Sequence, residues 1–423
     1  MTSIRSAAAV VLASLALAAC AGTPPPGAAT ARSGPPTSAT PPAAVSTTPT
    51  SSTTSATGVT PTATAGSSAS ATPSANSAAS SGSARSVSLL FSGDLLWHET
   101  TWQSAQADAK RTGHGIDGFD FDPMFAALRP TISSAGLAVC HEEVPFAPKG
   151  GPYSGYPTFA APPEIAPWIA SMGWDACTLA SNHTLDLGFT GLVRTVTDLR
   201  DAGVATAGAF RTATEARTPV ILRAANGVRV GLVDGTYGLN GQKPPAGRAW
   251  AVSMWNLDNL LGQARAARKA GADIVVVDVH GGTEYQTQPT HDQLWLAQNL
   301  TASPDVDAVV GEHVHVVQPI TRINGKWVAF GMGNLVAQQS VDRPRTYEGI
   351  MVRLTFTALG GGFEATRAEY IPTLITHGDP IRVLPVDASL RAGTGPTERL
   401  KQAEAAVRHA VTLLGHTDGL SES

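Results

Sequence analysis

Apolar residues alternate with polar ones from Val87 to Ser92, which predicts a strand, and recur at helical spacing from Phe121 to Ser134. A short apolar run, Leu137 to Cys140, predicts a buried strand. Pro163 to Met172 reads as a helix with proline in its first turn. Strand Ala176 to Ala180, helix Thr190 to Ala202 stopped by Gly203, and strand Val204 to Ala207 follow. Val220 to Ala224 and Val228 to Val233 flank Asn226-Gly227, a hairpin signal. Helix Leu257 to Ala270 leads through Gly271 into Ile274 to Val279, a continuous apolar run of the kind found in strands covered on both faces. The pattern continues with helix Thr290 to Leu300, strand Ala308 to Gly311, a hairpin at Asn324-Gly325 and another from Met351 to Tyr370 turning at Gly360-Gly361-Gly362. A last helix is expected near Thr397 to Leu414. Alternating strands and helices with some hairpins predict a single α/β domain, residues 87–423, built as a sandwich.

Ahead of Val87 the pattern is absent. Residues 21–86 are almost wholly Ala, Ser, Thr, Pro and Gly, so residues 20–86 are expected to form a disordered linker. Residues 1–86 hold three of the 29 Lys and Arg and none of the 33 Asp and Glu, which leaves the other 337 residues at a formal charge of −7. That sign argues against nucleic acid as a partner. Met1 to Ala19, with Arg5 followed by an apolar run too short to span a bilayer, reads as a signal peptide. Its end, Leu17-Ala18-Ala19-Cys20, resembles the lipobox of bacterial lipoproteins. This implies export and lipidation at Cys20, with attachment to the outer face of the cytoplasmic membrane; a plain secretory signal is the alternative. Export permits a disulfide between Cys140 and Cys177, with buried free thiols as the other reading.

Polar residues cluster just past the apolar runs, where α/β sheets collect ligands. Five such places occur: Gly93-Asp94, His141-Glu142-Glu143, Ser181-Asn182-His183, His280-Gly281-Gly282 and Gly311-Glu312-His313-Val314-His315. Carboxylate, amide and imidazole donors without thiolates suit a divalent ion such as Mn, Zn or Fe. His313 and His315 would share a face on a regular strand, or converge from a loop. Pro145 to Pro163, without periodicity, reads as a lid or substrate wall, or as a surface loop stiffened by proline.

Together with Ala180-Ser181-Asn182-His183-Thr184-Leu185-Asp186, Val279-His280-Gly281-Gly282-Thr283-Glu284-Tyr285 and Gly331-Met332-Gly333-Asn334-Leu335, these motifs resemble the poly-γ-glutamate capsule biosynthesis (CapA) family from about Val87 to Pro372. The resemblance implies a metallophosphoesterase-like (calcineurin-like) fold, a β-sandwich flanked by helices in four αββα layers. It implies Asp94, Glu143, Asn182, His280, His313 and His315 as ligands of one or two ions, and His183, with Asp186, as the proton donor or transition-state stabiliser. His280 and Glu143 are also expected to act in catalysis. Phosphatases of this fold place a His two residues after the first Asp, where this chain has Leu96 and offers His98 instead. His141 stands where the family has Asn. Glu284 and Tyr285 either orient His280 or substrate, or pack as ordinary loop residues. The resemblance suggests a surface polymer or peptide-like substrate, handled by metal-assisted hydrolysis or transfer, by metal-independent acid/base chemistry, or by binding and export alone.

Overall fold

The computed structural model describes residues 85–415 and 417–423, all within one compact unit. The expected signal peptide, Cys20 and nearly all of the linker lie outside these residues. Ser86, assigned to the linker by composition, already pairs with Thr357. No helix among the described residues is long and apolar enough to cross a membrane.

Fifteen strands form two sheets. In chain order they are β1 (Ser86–Leu95), β2 (Leu137–Glu142), β3 (Ala176–Thr178), β4 (Ala205–Ala207), β5 (Val220–Arg223), β6 (Arg229–Thr236), β7 (Ile274–His280) and β8 (Ala308–Glu312). They continue with β9 (Ile320–Ile323), β10 (Lys326–Ala329), β11 (Asn334–Val336), β12 (Glu348–Leu359), β13 (Gly362–Ile375), β14 (Val383–Pro385) and β15 (Leu420–Glu422). The larger sheet runs β14-β13-β12-β1-β2-β3-β4, with β11 beside β1 and β15 beside β13; the smaller runs β5-β6-β7-β8-β10-β9. In each sheet a parallel core, β1 to β4 and β6 to β8, points its strand ends the same way.

Strand periodicity sorts the side chains into layers. Val87, Leu89, Phe91, Leu137 and Val139 of the larger sheet pack with Val230, Leu232, Ile274, Val276, Ala308 and Val310 of the smaller one, forming the layer between the sheets. The intervening residues face outward. Val275, Val277 and Val309 meet helices Leu257–Lys269 and His291–Ala302, which bury Leu260, Ala264, Ala267, Leu296, Ala297 and Leu300. Both helices start at side-chain caps: Asn256 accepts from the Asn259 N–H, and Thr290 forms a capping box with Gln293. On the other flank Leu90, Ala138, Cys140 and Cys177 meet helices Glu99–Thr112, Ile165–Met172 and Gly188–Asp201. The result is the expected helix-sheet-sheet-helix stacking. Cys140 and Cys177 sit opposite each other on β2 and β3, 4.5 Å apart at Cα, and form a disulfide.

Two departures have clear causes. The helix expected over Phe121–Ser134 is split into Asp122–Phe125, a 3-10 turn at Ala126–Leu128, and Arg129–Ser133. Pro130 has no N–H for an i−4 carbonyl, so the helix cannot run through. Helix Glu99–Thr112 was not expected, because its buried face is largely polar: Thr101, Ser104 and Asp108 beside Trp102 and Ala105.

Candidate metal centre

The inward-facing positions of the parallel strands are apolar through most of their length and turn polar at the ends. On β7 the series Ile274, Val276, Asp278, His280 keeps one register; β2 gives Leu137, Val139, His141, and β8 gives Ala308, Val310, Glu312. Asp94 arrives through a bulge in β1 between Phe91 and Asp94. The bulge requires Gly93: a Cβ there would lie 1.8 Å from the Gly333 carbonyl oxygen, which also accepts from the Asp94 N–H at 3.0 Å.

Asp94 is fully buried and central. Its Oδ1 lies 3.9 Å from His141 Nε2 and 4.0 Å from His280 Nδ1, and its Oδ2 lies 3.1 Å from His315 Nδ1. One ligand atom from each of Asp94, His141 and His280 falls within 4.8 Å of the others, and the same holds for Asp94, Glu143 and His315. Both Glu143 carboxylate oxygens, His280 Nδ1, His141 Nε2 and His313 Nδ1 are buried without a hydrogen-bond partner. Buried polar atoms are normally satisfied, so this converging set of orphaned donors fits a divalent cation. It is an N/O set suited to Mn, Zn or Fe.

Neighbouring groups fix the imidazole tautomers. Asn182 donates its amide to Asn240, leaving its Oδ1, 2.7 Å from His280 Nε2, to accept from that nitrogen. The His280 Nδ1 lone pair then faces Asp94. The Thr178 hydroxyl donates to Asp278 at 2.8 Å and so accepts from His141 Nδ1 at 2.9 Å, turning the lone pair of His141 Nε2 toward Asp94. Such outer partners orient ligands and set their basicity.

His313 and His315 both have positive φ, 88° and 58°. They lie in the loop after β8, not on a strand, and such conformations in non-glycine residues mark strained sites. The His313 N–H reaches Asp94 Oδ1, and its ring lies 4.8 Å from that of His280. His315 Nδ1 sits between Asp94 and the Asn334 carbonyl oxygen at 3.0 Å, while Asn334 donates its amide to the Thr346 carbonyl.

Charge follows from burial. Desolvation, then the charge of Asp94, pushes the Glu143 carboxyl well above its usual range. Burial and neighbouring imidazoles hold His280 well below its ordinary value and bring His313 to about 3, so both are neutral and able to ligate. For His315, burial pulls down, but Glu143 and Asp94 outweigh it and raise the group to about 9. Without a metal, its imidazolium is the positive charge among these acids.

His183 stands beside this set. Its Nδ1 lies 2.8 Å from Asp186 Oδ2, which also accepts the Phe159 N–H at 2.8 Å, and the Phe159 ring meets His183 edge-on at 4.8 Å. Phe159 belongs to the Pro145–Pro163 segment, which therefore walls the site. His98 belongs to none of the three-residue donor groups; its Nδ1 accepts the Gln338 N–H, its ring meets Phe159 edge-on at 5.4 Å, and burial lowers it to about 4. Leu96 is buried and brings no donor. Tyr285 lies on the rim, its ring 6.0 Å from that of His315, with the Arg343 guanidinium stacked 3.8 Å above it; burial, then the charge of Glu284, raises its hydroxyl to about 12. Tyr237 packs 4.5 Å from His313 and, with Trp255, Thr283 and Trp295, lines an adjoining cleft of about 730 Å³. Glu142 points to the opposite face of its sheet, where it accepts from Trp97.

Sequence reasoning gave no role to Asn240, Asn334, Thr178, Asp278 or Tyr237. For Asp278 a signal exists: it is the one charge inside the apolar run Ile274–Val279, in register with His280. Asn334 lay in a quoted motif and is the register partner of Asp94.

The family described as "Bacterial capsule synthesis protein PGA_cap" matches residues 88–339. The chain is 27% identical over 198 residues to the PGA biosynthesis protein CapA of Bacillus subtilis, a match covering 47% of this chain and 51% of that protein. It is 26% identical over 287 residues to a probable polyglutamine synthesis accessory protein of Mycobacterium tuberculosis, covering 62% and 69%. The chain thus spans about half the length of the Bacillus relative. Among solved structures, the calcineurin-like phosphoesterase YfkN of Bacillus subtilis aligns over 75% of this chain and 99% of that one, at 14% identity and a TM-score of 0.40.

Proposed function

The chain belongs to the bacterial capsule synthesis protein PGA_cap family, and on that premise we propose that it is an envelope-anchored, metal-assisted hydrolase or transferase. Its target in this reading is an amide or phosphoester bond of a surface polymer of the poly-γ-glutamate kind. The observation that carries the reading is the convergence of buried donor groups from Glu143, His280 and His315 on Asp94, with oxygens of Glu143 and Nδ1 of His280 orphaned, beside the His183–Asp186 pair.

Asp94, Glu143, His280, His313 and His315 would hold the ion, with Asn182, expected as a ligand, instead fixing His280 through its Oδ1. A divalent cation there supplies Lewis-acid polarisation of the reacting carbonyl or phosphoryl group and an acidified water. Asp186 holds the Nδ1 proton of His183, leaving Nε2 as the atom that passes a proton to the leaving group. Phe159 fixes that ring and keeps water from one side of it. On the rim, Arg343 over Tyr285 offers a cation to a substrate carboxylate or phosphate, and the cleft past Tyr237 has room for a polymer segment. Lipidation at Cys20 would keep the site near the membrane where such polymers are made.

One observation favours a second reading, binding and export without turnover: Leu96 contributes no ligand where a His would complete a two-ion site. The deciding experiment incubates the full-length protein, with Mn or Zn added, with poly-γ-glutamate and with synthetic amide and phosphoester substrates. Bond cleavage or transfer that disappears on chelation and in His183→Asn supports the enzyme. A metal-loaded protein that retains polymer on a column but leaves every bond intact supports the second reading. Release of a Cys20→Ala variant from membranes tests the anchor.

A further inference from the structure

Beneath the site, three carboxyl groups stand on adjacent strands inside the sandwich: Asp234 on β6, its register partner Asp278 on β7, and Glu312 on β8. All three are at most 1% exposed. Asp234 Oδ2 accepts the Leu179 and Ala180 N–H groups and Asp278 Oδ2 accepts the Thr178 hydroxyl, but Asp234 Oδ1, Asp278 Oδ1 and both oxygens of Glu312 have no hydrogen-bond partner. One ligand atom each from His141, Asp278 and Glu312 lies within 4.8 Å of the others. Among the described residues no ion pair joins any of these three carboxyl groups to a lysine or arginine, whereas the buried Asp108 and Glu348 each have an arginine partner.

We propose that His141, Asp278 and Glu312 form a second, wholly enclosed divalent-cation site between the sheets, with Asp234 as a further donor. It shares no carboxylate with the set around Asp94; the one imidazole common to both sets, His141, has a single lone pair and serves this ion, which leaves Glu143, His280, His313 and His315 to the other. An unpaired buried carboxylate is among the most costly groups a fold can hold, and an ion answers that cost for several at once. One imidazole and two or three carboxylates suit Mn, Zn or Fe better than the all-oxygen preference of Mg or Ca. Enclosure between Val276, Val310 and the facing sheet makes the ion a structural tie that exchanges slowly, in contrast to one around Asp94.

The test counts ions on the full-length protein purified without chelator, by mass spectrometry under non-denaturing conditions, before and after dialysis against EDTA. The expected result is one equivalent that survives EDTA in the parent and in Asp94→Asn, and that is missing from Glu312→Gln and Asp278→Asn. Because those two substitutions alter buried groups on which folding can depend, anomalous diffraction from parent crystals locates the ion independently, with a peak between Asp278 and Glu312. A folded parent with no EDTA-resistant ion and no such peak overturns the proposal. So does a folded Glu312→Gln with the full ion count and an unchanged Tm, since Glu312 would then simply carry a proton. Loss of the exchangeable ion alone would refute the hydrolase reading and leave this one standing.

Discussion

The layer between the two sheets has two ends built on the same strands. At one end Phe91, Val139, Val276 and Val310 interdigitate as an apolar core; at the other Asp94, His141, Asp278, His280 and Glu312 occupy the continuing inward register. Both ends are equally buried and share one backbone geometry, so the strands themselves do not distinguish them. What differs is satisfaction. Dispersion and water exclusion complete the apolar end, whereas the polar end leaves carboxylate oxygens and imidazole nitrogens without partners. Groups of this kind are ones that a cation would satisfy, and the apolar end is what holds them in place.

The sharpest way to break this contrast is to remove the centre of the polar end. Asp94→Asn keeps the shape and deletes the charge that His141, His280 and His315 converge on. Loss of the EDTA-sensitive ion and of all measurable turnover is expected, with the circular dichroism spectrum retained. An unaltered ion count would end the assignment of Asp94 as a ligand. Next in size, His183→Asn should lower kcat by about 10²- to 10⁴-fold, the usual worth of a positioned acid or base, while leaving the ion count intact. If the ion leaves with His183, that residue is a ligand and not a proton donor. The converse substitution belongs at the other end: Phe91→Ala is expected to cost about 3–5 kcal/mol in denaturant unfolding without changing metal content per folded chain. Were metal affinity to fall with it, the two ends would not be separable.

The strands and their polar ends were legible because period-2 patterning is local, so the five polar places could be located from position, while the choice of Asp94, Glu143, Asn182, His280, His313 and His315 among them came from the family resemblance. Asp278 was hidden by the same logic, since a lone charge within Ile274–Val279 reads as an interruption until β6 and β8 bring Asp234 and Glu312 beside it. Asn334 fixes His315 across a pairing with β1 that spans 240 residues of sequence. The helix Glu99–Thr112 was missed because its buried Asp108 is satisfied by Arg382, on a distant segment. His98 was offered as a substitute for the His that Leu96 replaces, and its Nδ1 takes the Gln338 N–H, a contact set by a residue 240 positions away. In each case the missing information was a partner far along the chain.

The smallest expected effect concerns pH, and it separates the two ends without mutation. In the metal-free protein Glu143, Glu312, Asp234 and Glu142 have raised folded-state values, chiefly through burial, and His315 is raised to about 9. The folded state therefore keeps protons that the unfolded chain releases, from about pH 4.5 upward for the carboxyls and from about 6.5 for His315, and stability falls as pH rises. His280 and His313 act oppositely: their depressed values make the unfolded chain the better proton acceptor below about 6.5, so their effect appears only on acidification. Above pH 6.5 the first set acts alone. The Tm of protein unfolded and refolded in EDTA, and so freed of both ions, should thus decline from pH 6.5 to 8.5, as its stability falls by up to about 1.4 kcal/mol per pH unit for each proton retained. Bound cations replace those protons, so the metal-loaded protein should show a flatter profile and an affinity for metal that rises with pH. A metal-free Tm that stays level or climbs over this interval would mean that the polar end is solvated like any surface, and the contrast with the apolar end would lose its physical basis.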